Sequence, residues 1–159
     1  MPHYAPLMRW LITPILLFSL LMAGSSFAAD TVTGKVIKVL PQYLDLKGRT
    51  SIAPSLYERD SYQSQLLKNP ALRSGIVFNI CSRASKELKL IVEARGVMRG
   101  KSPSLVVIEK NAPLTGRFGK WSKIAITGDD YKNIETLTAW HVSLWDGDSL
   151  VSEYKSFLW

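Results

Sequence analysis

The sequence predicts a mainly β protein: a two-layer antiparallel β-sandwich with one short helix near residues 56–68. Three observations carry this expectation. From Gly75 onward, short apolar runs alternate with polar residues and are punctuated by Gly, Pro, Asn and Asp. Only one stretch shows both a helix start and a helix stop. The chain then ends in Thr138 to Trp159, two alternating runs of β-branched and aromatic residues around Asp146-Gly147, a strong hairpin signal.

Taken in order, the chain opens as a secretory leader. Arg9 is its one charge, Leu11 to Gly24 is an apolar stretch short for a membrane span, and Ser26-Phe27-Ala28 is a small-x-small cleavage site. Residues 1–28 are therefore expected to be a signal peptide and residues 29–159 a single β-sandwich domain, exported to the periplasm or beyond. The competing reading is an uncleaved anchor, since Trp10 to Met22 is apolar throughout. No transmembrane span is expected in the mature chain, and no cysteine follows the apolar stretch to carry lipid.

Thr31 to Leu40 alternates as a strand, and Pro41 either ends it or makes it an edge, with Tyr43 to Leu46 continuing after a kink. Lys47-Gly48-Arg49 is turn chemistry. Ser55-Leu56-Tyr57-Glu58 matches a capping box, and Asn69-Pro70 stops the helix that follows. Tyr62, Leu66 and Leu67 supply its expected packing stripe. Gly75 to Cys81, Lys86 to Arg95, Leu105 to Glu109 and Lys120 to Thr127 read as strands, with Leu88, Leu90, Val92 and Ala94 inward in the cleanest of them. Gly128-Asp129-Asp130 turns the chain toward Tyr131. In the terminal hairpin, burial selects a three-residue loop, Trp145 to Gly147, that pairs Leu144 with Asp148. Trp140, Val142 and Leu144 then share a face with Leu150, Ser152 and Tyr154, while His141, Ser143, Val151, Glu153 and Lys155 share the other. The Phe157-Leu158-Trp159 ending is expected to close the core beside Trp140. An outer-membrane strand is disfavoured, because Lys155 and Glu153 would face lipid.

Composition bounds the function. Cys81 is the single cysteine, so neither an internal disulfide nor a cysteine metal site can form, and a structural thiol is expected. His141 is the one imidazole beyond the leader, and no Gly-x-Ser-x-Gly elbow is present. Asp129-Asp130 and Asp146-Gly147-Asp148 read as turns, without the spacing of a calcium loop. No catalysis, metal or cofactor is expected. The net charge of +7, of which the leader holds a single cation, suits anionic partners. Arg95, Arg99, Lys101, Arg117, Lys120 and Lys123 form a candidate anion-binding set if two loops meet at one end of the sandwich.

Lys120 to Trp159 resembles the closing half of an immunoglobulin-like sandwich. Leu44 to Arg49, Pro54 to Asp60 and the Lys155-Ser156-Phe157-Leu158-Trp159 ending resemble a family of exported bacterial proteins with no assigned activity. That resemblance implies a shared fold over nearly all the mature chain and transfers no functional residue. The expected function is an exported, non-catalytic accessory or binding domain of the cell envelope. The alternative is binding of an anionic glycan or lipid headgroup through basic loops. The partner would be an envelope protein or an anionic polymer, with nucleic acid not expected.

Overall fold

Seven strands alternate their side chains between one shared core and two outward faces: β1 (Gly34–Asp45), β2 (Arg73–Ala84), β3 (Leu88–Val97), β4 (Ser104–Ala112), β5 (Lys120–Thr127), β6 (Thr136–Asp146) and β7 (Ser149–Lys155). The structure, a computed structural model, describes residues 32–98, 102–112 and 118–159. The expected leader lies outside these residues. The chain is mainly β, in two antiparallel sheets: β1-β2-β5 and β4-β3-β6-β7. Ile76, Phe78 and Ile80 of β2 meet Leu88, Leu90 and Val92 of β3 and Val142 and Leu144 of β6 in a single hydrophobic cluster. Each such side chain contributes roughly 1.5–3 kcal/mol by leaving water. Trp140 extends the cluster, edge-on to Phe78 at 6.5 Å and stacked on Tyr154 at 5.9 Å. No helix among the described residues is long and apolar enough to cross a membrane.

Helix α1 (Leu56–Lys68) forms where the capping box places it. The Ser55 hydroxyl accepts from the Glu58 amide at 3.2 Å and donates to the Glu58 carboxylate at 2.6 Å. Leu66 is its buried anchor, whereas Leu67 points to solvent. Arg73 holds the far end. Its guanidinium donates to the carbonyls of Leu66 and Leu67, and at 3.0 Å to that of Glu135, while stacking 4.2 Å from the Tyr43 ring centre. A buried cation thus sits at the negative end of the helix dipole.

β1 is an edge strand that runs through Pro41 without breaking. Beyond the proline, Gln63 of α1 takes the place of a neighbouring strand, its Oε1 accepting from the Tyr43 N–H at 2.8 Å and its Nε2 donating to the Tyr43 carbonyl at 2.9 Å. At the strand's end Asp45 organises the turn. Its carboxylate accepts from the amides of Lys47 and Arg49, both at 2.8 Å, from the Tyr62 hydroxyl at 2.8 Å and from Arg49 Nε at 2.9 Å. Burial alone would raise this carboxyl. The hydrogen bonds from the Arg49 amide, Tyr62, the Arg49 guanidinium and the Lys47 amide outweigh it and hold the group well below the usual carboxylate range. A depressed folded-state value means stability that is present above the unfolded value of about 3.9 and lost as pH falls below it. The melting-temperature gap between the parent and Asp45→Asn is therefore expected to be full at neutral pH and to shrink from about pH 5 downward. A gap that does not change with pH would refute this.

Three expectations are corrected. A second helix, α2 (Gly128–Asn133), replaces the simple turn after β5. Gly128 takes a φ of +62°, and Tyr131 and then Ile134 drop into the core. Six residues are too few for a helical period to be read.

The terminal hairpin turns at Gly147-Asp148, with Asp146 opposite Ser149 and Gly147 at φ +56°. A bulge between Leu150 and Ser152 then shifts the register further, so that Leu144 faces Ser152 and Val142 faces Tyr154, and the expected pairing of Leu144 with Asp148 does not form. The division of faces is as expected except at the bulge, which turns Val151 toward the core and leaves Leu150 48% exposed.

The C-terminal residues do not close the core. Phe157 is fully exposed and Leu158 is 71% exposed, because Tyr154 already fills the space beside Trp140.

Candidate anion-binding face

The two sheets carry different charge. β1, β2 and β5 hold Lys35, Lys38, Arg73, Arg83, Lys120 and Lys123 against Asp45 alone. Each strand of the other sheet contains a carboxylate: Glu93, Glu109, Asp146 and Glu153. Arg73 is turned inward and Asp45 is consumed by its turn, so the outward face of the three-stranded sheet is cationic. Register assembles it: Lys35 lies opposite Arg83, Lys38 opposite Cys81, Trp121 on the other side of Cys81, and Lys123 opposite Asn79. Lys35, Lys38, Arg83, Lys120 and Lys123 are exposed and form no ion pair among the described residues. Lys110 adds to the rim of this surface, donating to the Lys123 carbonyl at 3.2 Å. Toward the Asp45 turn, a shallow pocket of about 490 Å³ opens on the same face, between Arg49, Asn79, Val77 and Lys123.

The expected anion-binding set is divided by this geometry. Lys123 belongs to the cationic face, whereas Lys120 stands opposite the buried Ser82 and so shares the inward parity of Ser122 and Ile124, exposed at the start of β5. Arg95 stands on the outward face of the other sheet, where its guanidinium lies 3.9 Å from the Trp159 ring centre. Arg99, Lys101 and Arg117 lie outside the described residues. Sequence reasoning concentrated on loops and missed Lys35, Lys38 and Arg83. A signal was present: Arg73 to Ala84 and Lys120 to Thr127 contain no acidic residue at all.

The second cluster surrounds His141. Nδ1 lies 2.6 Å from Glu93 Oε2 and Nε2 lies 2.9 Å from Glu153 Oε2, with Lys155 3.2 Å from the other oxygen of Glu153. Hydrogen bonds from His141 and Lys155 draw the Glu153 carboxyl below its ordinary value. The Trp159 ring stacks on the imidazole at 5.3 Å. Carboxylates only accept, so both contacts are hydrogen bonds when the ring carries both its protons. The arrangement fastens the C-terminal segment to the four-stranded sheet. Comparison with protein-family models, curated proteins and solved structures returns no match. Of the two clusters, the one around His141 is self-neutralised and the one on the three-stranded sheet carries unbalanced charge. Cys81, expected as a buried structural thiol, is half-buried on the cationic face beside Trp121.

Proposed function

We propose that this protein is an exported, non-catalytic binding domain of the cell envelope that engages an anionic partner through the outward face of its three-stranded sheet. The observation that carries the reading is the set of exposed, unpaired cations at Lys35, Lys38, Arg83 and Lys123 on acid-free segments of β1, β2 and β5. Several cations on one face acting on one polymer reinforce one another. The non-catalytic part of the reading draws support from His141, whose two nitrogens are both engaged by carboxylates.

An immunoglobulin-like arrangement draws support from the strand order. With β1 to β7 taken as A, B, C, C′, E, F and G, a sheet of A, B and E faces one of C′, C, F and G. Such sandwiches serve widely as binding modules, and that likeness is one of architecture only.

The test uses protein purified from exporting cells and dextran sulfate as a model polyanion. Retention is expected to fall steeply as salt rises, since exposed charges are screened within about 10 Å at 0.1 M. Reversing Lys35, Lys38, Arg83 and Lys123 together to Glu is expected to abolish retention while leaving the melting temperature near the parent's. Equal retention of the reversed variant, or none by the parent at low salt, would overturn the assignment.

A further inference from the structure

The cationic face carries apolar side chains at its centre. Ile37, at the bulge in β1, is 44% exposed and Trp121 is 55% exposed. A Cβ added to Gly119 would meet Cys81 Sγ and Ile37 Cδ1, both at 2.9 Å. Those two side chains therefore close over the glycine, with Trp121 paired to Cys81 across the strands. Phe118, one residue earlier, is 80% exposed. Around this cluster stand Lys35, Lys38, Arg83 and Lys123. A soluble polyanion would need only the cations. An apolar cluster ringed by long cationic side chains matches the boundary of a bilayer, where Trp and Phe sit at headgroup depth and lysine stems lie along apolar surface with their ammonium groups at the phosphates.

We infer that this face docks on an anionic lipid surface, with Trp121, Phe118 and Ile37 entering the headgroup boundary and Lys35, Lys38, Arg83 and Lys123 meeting lipid phosphates. The inference rests on the anion-binding reading above and narrows its partner to a membrane. Charge complementarity favours an anionic leaflet, and the exposed aromatics favour lipid over glycan. On the outward face of the four-stranded sheet, Lys89, Glu109, Glu93, His141, Glu153 and Lys155 pair with one another and Trp159 covers Arg95 and His141.

Protein purified from exporting cells would be sedimented with phosphatidylcholine vesicles, with or without phosphatidylglycerol, and run in parallel on dextran sulfate. Binding is expected only to vesicles containing phosphatidylglycerol, with Trp121 fluorescence quenched by brominated acyl chains. Trp121→Ser combined with Phe118→Ser is expected to weaken vesicle binding about tenfold or more. The same variant should keep the parent's dextran sulfate retention and melting temperature, both substituted positions being exposed. Trp121→Phe should remove the quenching. A parent that binds dextran sulfate but not the anionic vesicles overturns the membrane inference and leaves the anion-binding reading standing. So does a double-serine variant that binds vesicles as tightly as the parent, or quenching that survives Trp121→Phe. A parent that binds neither probe removes both.

Discussion

Replacing Arg73 with Met is expected to cost the domain about 3 kcal/mol, a large share of the 5–15 kcal/mol typical of small domains. The methionine follows the course of the arginine stem, so the change isolates the guanidinium. Without it, the carbonyls of Leu66, Leu67 and Glu135 lose their shared donor, and the Tyr43 ring loses the cation against its face. A buried carbonyl left unpaired costs about 1–3 kcal/mol. Against this, the burial of a cation no longer has to be offset, which keeps the expected loss below three full penalties. Arg73→Lys should recover only part of it, since one ammonium cannot span three carbonyls and stack on tyrosine as well. Urea denaturation of the parent and both variants provides the check. A loss under about 1 kcal/mol in the Met variant would mean that water satisfies the carbonyls instead.

Gly96→Ala is expected to be as damaging, although it adds a single methyl group. A Cβ at this position would lie 2.5 Å from Ile134 Cβ and 2.8 Å from both Ile134 Cα and the Ile134 carbonyl oxygen. Two of those atoms are backbone, and Ile134 is itself fully buried at the end of α2. Rotamer changes therefore cannot relieve the contact. Overpacking in ordinary cores costs about 1–3 kcal/mol, and an immovable neighbour puts this site at the upper end. For a domain of this size the melting temperature should drop by about 10 °C. An alanine variant that melts with the parent would show that α2 can shift away from β3 at little cost.

Elements whose signal is local were legible in the sequence. β5 begins and ends at the expected residues, the four inward positions of β3 are all buried, and the capping box opens α1 where it should. What was not legible depended on pairing between distant segments. Lys35 and Arg83 stand opposite each other across β1 and β2, and no local pattern announces that partnership. Summing charge over loops gave weight to Arg95, which the fold places under Trp159, and none to Lys35, Lys38 and Arg83. The hairpin shows the same division. Alternation assigned Trp140, Val142 and Leu144 to the core correctly, but the bulge at Val151 changed which residues face one another. The aromatic ending was misread for a further reason. Hydrophobicity alone does not distinguish a ring that fills a core from one that lies over a charged sheet surface, as Trp159 does over His141.

An open sheet edge is a template on which another chain can lay down a strand, and it is where aggregation of β proteins commonly begins. β1 forms such an edge, yet it offers little to copy. Its Val36 amide is taken by the Ser152 hydroxyl at 3.1 Å, Pro41 has no N–H to give, Gln63 occupies both polar groups of Tyr43, and the Asp45 amide is bonded to the Arg49 carbonyl at 2.9 Å. A side-chain amide borrowed from a helix thus does the work of an eighth strand without exposing a further edge of its own. At these positions an incoming strand would find the donors already engaged or missing. On the β1 side, then, the sheet presents its flat face rather than a rim that can be copied.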